Sequence, residues 1–258
     1  MPDRTEYKPG TPSWIDIGTD VGAAKTFYGG LFGWTTQDAG PPEETGGYGF
    51  FMKGDKMVAG YGPQMQPGPT FWTTYVSVED AEETAQRVEK AGGKVVVPPM
   101  DVMGAGRMAV FQDQQGAFIS AWQPMEHKGA QVVNEPGSMS WNELNTRDVD
   151  GSKAFYSEVF GWEPVTQGDG AHTYTEWKLD GESVGGMMPM PPMVPAEVPP
   201  HWLVYFAVDD TDAAVAKVKE LGGSVMLPPT DVEPGRLSVV ADDKGAAFAV
   251  IKLARPAS

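Results

Sequence analysis

Two copies of one stretch decide the fold: KTFYGGLFGW at Lys25–Trp34 and KAFYSEVFGW at Lys153–Trp162. Ala23, Phe27 and Leu31 follow the spacing of one helical face, and Gly-Trp then ends the helix in both copies. The copies lie 128 residues apart, and a repeat unit as long as a domain indicates two copies of one fold.

The repeat continues towards the end of each half. Asp113–Ala117 reads DQQGA and Asp242–Ala246 reads DDKGA, 129 residues apart. The distance between the copies thus changes from 128 to 129 residues along the chain, and such a small change is typical of loop insertions and deletions. We therefore predict a first domain over residues 1–124, a linker over 125–136 that is polar and lacks helical or strand period, and a second domain over 137–258.

Each half contains two smaller units of the order strand, helix, three strands. In the first half, strand patterns at Ser13–Gly18 and Phe71–Val78 each precede a helix, and Asp80 and Glu83 predict a capping box on the second helix. A βαβββ unit covers only one face of its sheet with a helix, so two paired units leave a concave face that suits a ligand. The sequence predicts an α+β protein of two tandem domains, each of paired βαβββ modules forming a curved, cup-shaped mixed sheet.

Composition excludes several functions. The 258 residues include 19 Lys and Arg against 35 Asp and Glu, and a net charge of −16 disfavours nucleic acid or an anionic membrane as partner. With no Cys there is no thiolate nucleophile, and of the 3 His, His127 lies in the linker and is interpreted as structural or incidental. A polar N-terminus favours a cytoplasmic protein, which we expect to be a monomer or homodimer.

These motifs resemble the vicinal oxygen chelate superfamily, which includes glyoxalase I, extradiol dioxygenases and bleomycin resistance proteins. The resemblance covers nearly the whole chain and looks most like a tandem, two-domain actinobacterial branch described as hydroxylase-like. It implies the glyoxalase-like fold and, in metal-binding members, ligands on the first strand, in the fourth-strand region, at the start of the fifth strand and in the middle of the eighth. The first-, fifth- and eighth-strand positions fall here on Trp14, Thr73 and Ser120 in the first copy and on Trp141, Leu203 and Ala249 in the second. No divalent cation prefers such a set, so we expect no metal and no cofactor.

Strand alternation places one carboxylate beside each first-strand tryptophan: Asp16 beside Trp14 and Glu143 beside Trp141. A carboxylate on an apolar concave face is paired, raised in pKa or hydrated. Asp16 and Glu143 are therefore candidate catalytic acids or bases. The structural alternative is that they form ion pairs with the arginines of the eighth-strand hairpins, Arg107 or Arg236.

Aromatic walls with a few polar groups suit a flat organic ligand. The candidate ligand-binding residues are Trp14, Tyr75, Phe118, Ser120 and Trp122 in the first cup and Trp141, Glu176 and Tyr205 in the second. Six aromatic residues that recur in both copies are instead predicted to pack in the core: Phe27, Tyr28, Trp34, Phe155, Tyr156 and Trp162.

Three functions stay open. The first is metal-independent binding of a small aromatic or polyketide-like molecule, for sequestration or for proton transfer by Asp16 or Glu143. The second is a metal-dependent lyase, isomerase or dioxygenase whose displaced site uses His172, His201, Glu143 and Glu176, although the spacing of these residues matches no recognised ligand motif. The third is a non-catalytic interaction protein whose cups are packed shut.

Overall fold

A computed structural model describes residues 4–64, 68–170, 173–192 and 194–254. The first domain consists of β1 (Pro12–Thr19), α1 (Val21–Phe32), β2 (Thr35–Asp38), α2 (Pro42–Thr45), β3 (Gly49–Lys53), β4 (Lys56–Pro63), β5 (Trp72–Ser77), α3 (Ala81–Lys90), β6 (Lys94–Val102), β7 (Gly106–Gln112) and β8 (Phe118–Pro124). The second consists of β9 (Ser138–Thr146), α4 (Val149–Phe160), β10 (Glu163–Gln167), β11 (Tyr174–Leu179), β12 (Glu182–Pro189), β13 (His201–Ala207), α5 (Thr211–Glu220), β14 (Ser224–Val232), β15 (Gly235–Ala241) and β16 (Ala247–Leu253). In these ranges no helix is long and apolar enough to cross a membrane.

Each domain is one mixed sheet of eight strands. The order is β2-β3-β4-β1-β5-β8-β7-β6 in the first sheet and β10-β11-β12-β9-β13-β16-β15-β14 in the second. In the first sheet, β1 pairs with β5 antiparallel at the centre, and each of them pairs with the last strand of its own module in parallel. Two βαβββ modules therefore meet along β1 and β5, which confirms the predicted fold class.

The helices begin and end where the sequence indicates. Asp20 caps α1 by accepting a first-turn N–H, and the helix ends at Gly33, whose φ of 70° is in the left-handed region that glycine adopts without strain. Asp80 caps α3 in the same way. The capping box, however, is wrong in its second half, because the Glu83 carboxylate pairs with Arg87 one turn further along α3 instead of returning to the cap.

The two sheets turn their helix-covered faces towards each other. Helix α1 contacts α5, and α3 contacts α4. One core cluster joins Phe27 and Tyr28 of α1 to Phe206 and Phe248 of the second domain. A second cluster joins the aromatic residues of α4 to the strands behind α3. The six aromatic residues predicted as core are all buried, which confirms their packing role, and the core that they build is shared between the domains.

A crossed pair of hydrogen bonds fixes this interface. The Tyr28 hydroxyl donates to Asp242 Oδ2 over 2.9 Å and accepts the Trp72 indole N–H over 3.0 Å. Asp242 Oδ1 accepts the N–H groups of Lys244 and Ala246, so the same carboxylate shapes the turn before β16. The other half of the interface repeats the arrangement with Tyr156, Asp113 and Trp202.

We expect Tyr28→Phe to lower the free energy of unfolding by about 2 kcal/mol, because the buried Trp72 N–H loses its acceptor and the buried Asp242 loses a donor. Urea denaturation followed by fluorescence and circular dichroism measures the change.

Tyr61→Phe is the matched control. It removes an equivalent hydroxyl-to-carboxylate hydrogen bond, but the acceptor, Asp38, has a side chain that is 72% exposed. Water replaces the lost bond there, so we expect a change below about 1 kcal/mol. Equal losses of unfolding free energy in Tyr28→Phe and Tyr61→Phe would contradict the prediction that the Tyr28–Asp242 hydrogen bond stabilises the interface.

Candidate functional site

The candidate sites are the sheet faces that point away from the domain interface. We call the face with Trp14, Asp16 and Tyr75 cup 1, and the face with Trp141 and Glu143 cup 2. The apolar cluster of cup 1 contains only residues of the first domain and the linker, and that of cup 2 only strand residues of the second domain. The cups therefore lie on opposite outer sides of the molecule.

In cup 1, a partly buried hydrogen-bond network surrounds Asp16. Its Oδ2 accepts the hydroxyls of Tyr48 and Tyr75 over 3.1 and 3.0 Å, and the Trp14 indole donates to the Tyr48 hydroxyl over 3.0 Å. Burial raises the pKa of Asp16 to about 6, although the tyrosine hydrogen bonds act in the opposite direction. Asp16 is therefore a carboxyl that titrates near neutral pH.

Cup 2 carries the same network around Glu143. Its Oε1 accepts the Tyr205 hydroxyl over 2.8 Å, and the Trp141 indole donates to the Tyr174 hydroxyl over 2.9 Å. Tyr174 also hydrogen bonds to Glu143. Glu143 is only 5% exposed, and this burial raises its pKa. The structure thus brings each predicted carboxylate together with the predicted tryptophan and tyrosine of its cup.

The proposed ion pairs of these carboxylates are wrong. Within the described residues the charged partners of Arg107 include Glu82, at 2.9 Å, and Arg236 binds Asp212, at 2.6 Å. The reason is strand alternation, because Met108 packs in cup 1 and its neighbour Arg107 therefore points to the opposite face. The groups that face the buried carboxylates are tyrosine hydroxyls, not cations.

The sequence reasoning missed Tyr48 and Tyr174. Tyr48 directly precedes the third strand of the first domain and Tyr174 begins the third strand of the second, 126 residues away, and this recurrence is the signal that identifies them. Each tyrosine lies over a glycine of the neighbouring strand, since a Cβ on Gly60 or Gly186 would come within 2.0 Å of its hydroxyl. The glycine makes room for the network in both cups.

The last strands of the domains supply the remaining walls. Trp122 packs against Trp14 and Tyr75, while Ser120 is fully buried opposite Tyr75, and Phe118 stacks on Phe71 at 5.6 Å at the end of the strand. In cup 2 the small residues Ala247 and Ala249 and the branched Ile251 take these places. Glu176 lies on β11, the strand that also carries Tyr174.

The linker covers cup 1. The Trp122 indole donates to the His127 carbonyl over 2.8 Å, and Ala130, which is fully buried, belongs to the cup 1 cluster. The His127 ring packs edge-on against Trp14 at 4.3 Å and lies 5.8 Å from Phe50. Neither ring nitrogen has a partner in the described ranges, and burial lowers the pKa of His127 to about 4. The ring fills the cup, so of the two interpretations of His127, structural or incidental, the structure supports the structural one.

Among the residues that the structure describes, neither cup offers the donor set of a divalent cation. The equivalent positions hold indole, hydroxyl and alkyl groups, as the sequence indicates. Of the alternative ligands, His172 lies outside the described residues, and His201 contacts the Pro199 carbonyl at 2.9 Å through its Nδ1. Across the described ranges no three His, Cys, Asp or Glu residues form a group able to hold a metal ion.

Comparison with known proteins identifies close relatives. The family model described as Glyoxalase/Bleomycin resistance protein/Dioxygenase superfamily matches residues 17–120 and 139–250. A Mycobacterium tuberculosis protein provisionally named glyoxylase CFP32 is 42% identical over 98% of both chains. The anthracycline biosynthesis protein DnrV of Streptomyces peucetius is 40% identical over 96% of this chain and 95% of its own.

Solved structures share the fold at low identity. The Mn(II)-bound glyoxalase of Novosphingobium aromaticivorans aligns with a TM-score of 0.64 at 16% identity, covering 97% of this chain and 86% of that one. The 2,3-dioxygenase LapB of Pseudomonas sp. KL28 aligns with a TM-score of 0.65 at 13% identity, covering 96% and 93%. At this identity the likeness shows the fold alone.

The raised pKa of Asp16 predicts a pH dependence of stability. Since the folded-state pKa of about 6 lies above the ordinary 3.8, the stabilisation is complete below pH 3.8 and is lost as the pH rises through 6. Asp16→Asn keeps an acceptor for the tyrosines but does not titrate. Between pH 5 and pH 8 we expect the wild type to lose about 1.4 kcal/mol relative to this variant.

Urea denaturation of both proteins at the two pH values measures this difference. The lowered pKa of His127 has the opposite sign, since its contribution is lost as the pH falls, but it is common to both proteins and cancels in the comparison. Parallel pH profiles of the wild type and the variant would contradict the prediction.

Proposed function

Because the chain belongs to the glyoxalase/bleomycin resistance protein/dioxygenase superfamily, we propose that it binds a small, planar, aromatic or polyketide-like molecule in cup 2, without a metal ion, and that Glu143 acts there as acid or base. The observation that carries the proposal is a carboxyl with raised pKa, held by two tyrosines against a tryptophan on an outer face of the molecule.

The choice of cup 2 rests on the difference between the two faces. Cup 1 is filled by His127 and Ala130 of the linker, and its tryptophan, Trp14, is only 3% exposed. Trp141 in cup 2 remains half-buried, and its apolar neighbours are strand residues of its own domain. A ligand in cup 2 thus contacts Trp141 without displacing the linker, and it meets Glu143 at the 5% of that residue that is exposed.

The chemistry follows from the protonation of Glu143. When the carboxyl is neutral it can donate a hydrogen bond to a ligand carbonyl, and when it is ionised it can take a proton from a carbon next to that carbonyl and return it to oxygen. A pKa raised by burial brings the neutral and ionised forms closer in free energy. Tyr174 and Tyr205 orient the carboxyl for this transfer.

The ligand class rests on the shape of the site and on one relative. An indole wall with a single polar group suits a flat ring system. DnrV is named for anthracycline biosynthesis, which agrees with a planar polyketide ligand, whereas CFP32 is named a glyoxylase. The two names differ in chemistry, so the ring system of the ligand is the part that needs a direct test.

We expect calorimetric titration with planar hydroxyanthraquinones such as alizarin and emodin to give one site per chain. Glu143→Gln should weaken binding about tenfold, because the carboxyl loses its ability to exchange a proton with the ligand. Asp16→Asn is the matched control, since it makes the same change in the covered cup, and should leave the affinity within about twofold. Failure of the whole panel to bind would reject the proposal.

Metal removal gives an independent expectation. Exhaustive dialysis against a chelator should leave alizarin affinity unchanged, because the residues at the family's ligand positions are not metal donors. Elemental analysis of the purified protein accompanies the titration. One tightly held Fe, Zn, Ni or Mn per chain, whose removal abolishes binding, would favour the displaced-site metalloenzyme instead.

A further inference from the structure

One row of the second sheet connects the buried carboxylate of Glu143 to β11, the strand next to the edge strand β10. Glu143 pairs with Gly186 of β12, and Gly186 pairs with Glu176 of β11. Neighbouring strands lie about 4.8 Å apart, so the Cα atoms of the two glutamates are roughly 10 Å apart. Gly186 has no side chain, and the floor between them is formed by the Tyr174 hydroxyl and the Trp141 indole.

A cluster of three polar side chains lies at the outer end of this row. We call Glu176, Lys178 and Ser183 the polar wall. Lys178 Nζ lies 3.1 Å from Glu176 Oε2 and donates to Ser183 Oγ over 2.8 Å, while the Ser183 hydroxyl donates to Glu176 Oε1. Glu176 is also close enough to raise the pKa of Tyr174. The polar wall is therefore continuous with the network of cup 2.

The same positions of cup 1 are apolar. Phe50 pairs with Gly60 as Glu176 pairs with Gly186, and Met52 pairs with Met57 as Lys178 pairs with Ser183. Both strands carry an irregularity at the same point, so the correspondence is position by position. Phe50 and Met57 pack against the cluster that the linker completes. The covered cup thus has a wall of Phe and Met, whereas the other cup has a wall of Glu, Lys and Ser.

We propose that the polar wall is the specificity element of cup 2 and that it recognises a ring edge bearing adjacent hydroxyl or carbonyl groups. The proposal deepens the function proposed above and rests on it. A carboxylate accepts more hydrogen bonds than the two it receives here, and an ammonium group donates three. The wall therefore offers an acceptor and a donor side by side, and this pair matches a hydroxyl next to a carbonyl.

Charge supports an oxygenated edge over an ionic one. Glu176 and Lys178 neutralise each other, so the wall has no unbalanced charge to attract an anion or a cation. Ser183 is exposed, and Glu176 and Lys178 are partly exposed, so a ligand reaches them without the rearrangement of a strand. A bare hydrocarbon edge would cover these groups without replacing their contacts with water, which costs binding free energy.

The test compares alizarin, which has two adjacent hydroxyls beside a ring carbonyl, with anthraquinone, the same ring system without hydroxyls. Titrations use the full chain and measure both dissociation constants. We expect the wild type to prefer alizarin by about tenfold or more. The double variant Glu176→Gln with Ser183→Ala should reduce this preference to about twofold, because it removes the anionic acceptor and the hydroxyl.

Two further variants separate the wall from the rest of the site. Trp141→Ala should weaken both compounds by a similar factor and leave the preference intact, since the indole meets the ring face common to both. Glu182→Gln removes a carboxylate from the same hairpin outside the wall and should change neither constant beyond about twofold. Circular dichroism and thermal melting establish that each variant is folded.

The outcomes are distinct. If the wild type binds both compounds equally, or if the double variant keeps the wild-type preference, the polar wall is not the specificity element while binding in cup 2 stands. If neither compound binds, the proposed function and this inference both fail. A preference that disappears only in the double variant supports the assignment.

Discussion

Each domain donates one tyrosine hydroxyl to a buried aspartate of the other, and the remaining architecture depends on this exchange. Asp242 and Asp113 each use one oxygen to shape a turn and the other to accept the foreign tyrosine. A carboxylate in this position costs a large desolvation free energy unless both oxygens are satisfied. The turn is therefore stable in its observed form when the partner helix is in place, which couples the folding of the two domains and directs both cups outwards.

The resemblance between the two cups ends at the linker, which packs into cup 1. Both cups inherit the same Trp, Tyr and carboxylate arrangement from the repeat, but the first is followed by a segment that enters it and the second is lined by its own strands. The His127 ring has aromatic contacts on several sides and no hydrogen-bond partner among the described residues. It behaves as an apolar filler, because burial favours its neutral form. A segment of the chain itself, the linker, thus fills cup 1, whereas the described apolar neighbours in cup 2 are strand residues.

The parts of the molecule that the sequence predicts are those with a local or periodic cause. Asp20 and Gly33 bound α1 through capping chemistry, and period-two alternation places Asp16 and Trp14 on one face. The partners of Asp16 are Tyr48, which directly precedes β3, and Tyr75 of β5, and both reach it only through the order of strands in the sheet. The negative charge of Asp16 suggests an arginine as its partner. Because Met108 packs in cup 1, however, the adjacent Arg107 points to the opposite face of the sheet. Which strands pair, and which face of the sheet a side chain occupies, depend on the whole sheet and do not follow from any single sequence motif.

The two cups share the tryptophan, tyrosine and glycine positions of the network, but they differ in its carboxylate, which is Asp16 in cup 1 and Glu143 in cup 2, and in the walls around it. In each cup a tryptophan, a tyrosine and a glycine constrain one another, since a Cβ on the glycine would displace the tyrosine that the tryptophan holds. These residues are Trp14, Tyr48 and Gly60 in cup 1 and Trp141, Tyr174 and Gly186 in cup 2. Phe50 and Glu176 lie one strand further out and contact that network only at its edge. Substitution there changes the chemistry of the rim, while the tryptophan, tyrosine and carboxyl groups of both networks keep their hydrogen bonds. A duplicated domain can therefore keep one cup as a packed structural element and adapt the other to a ligand without altering the core that both require.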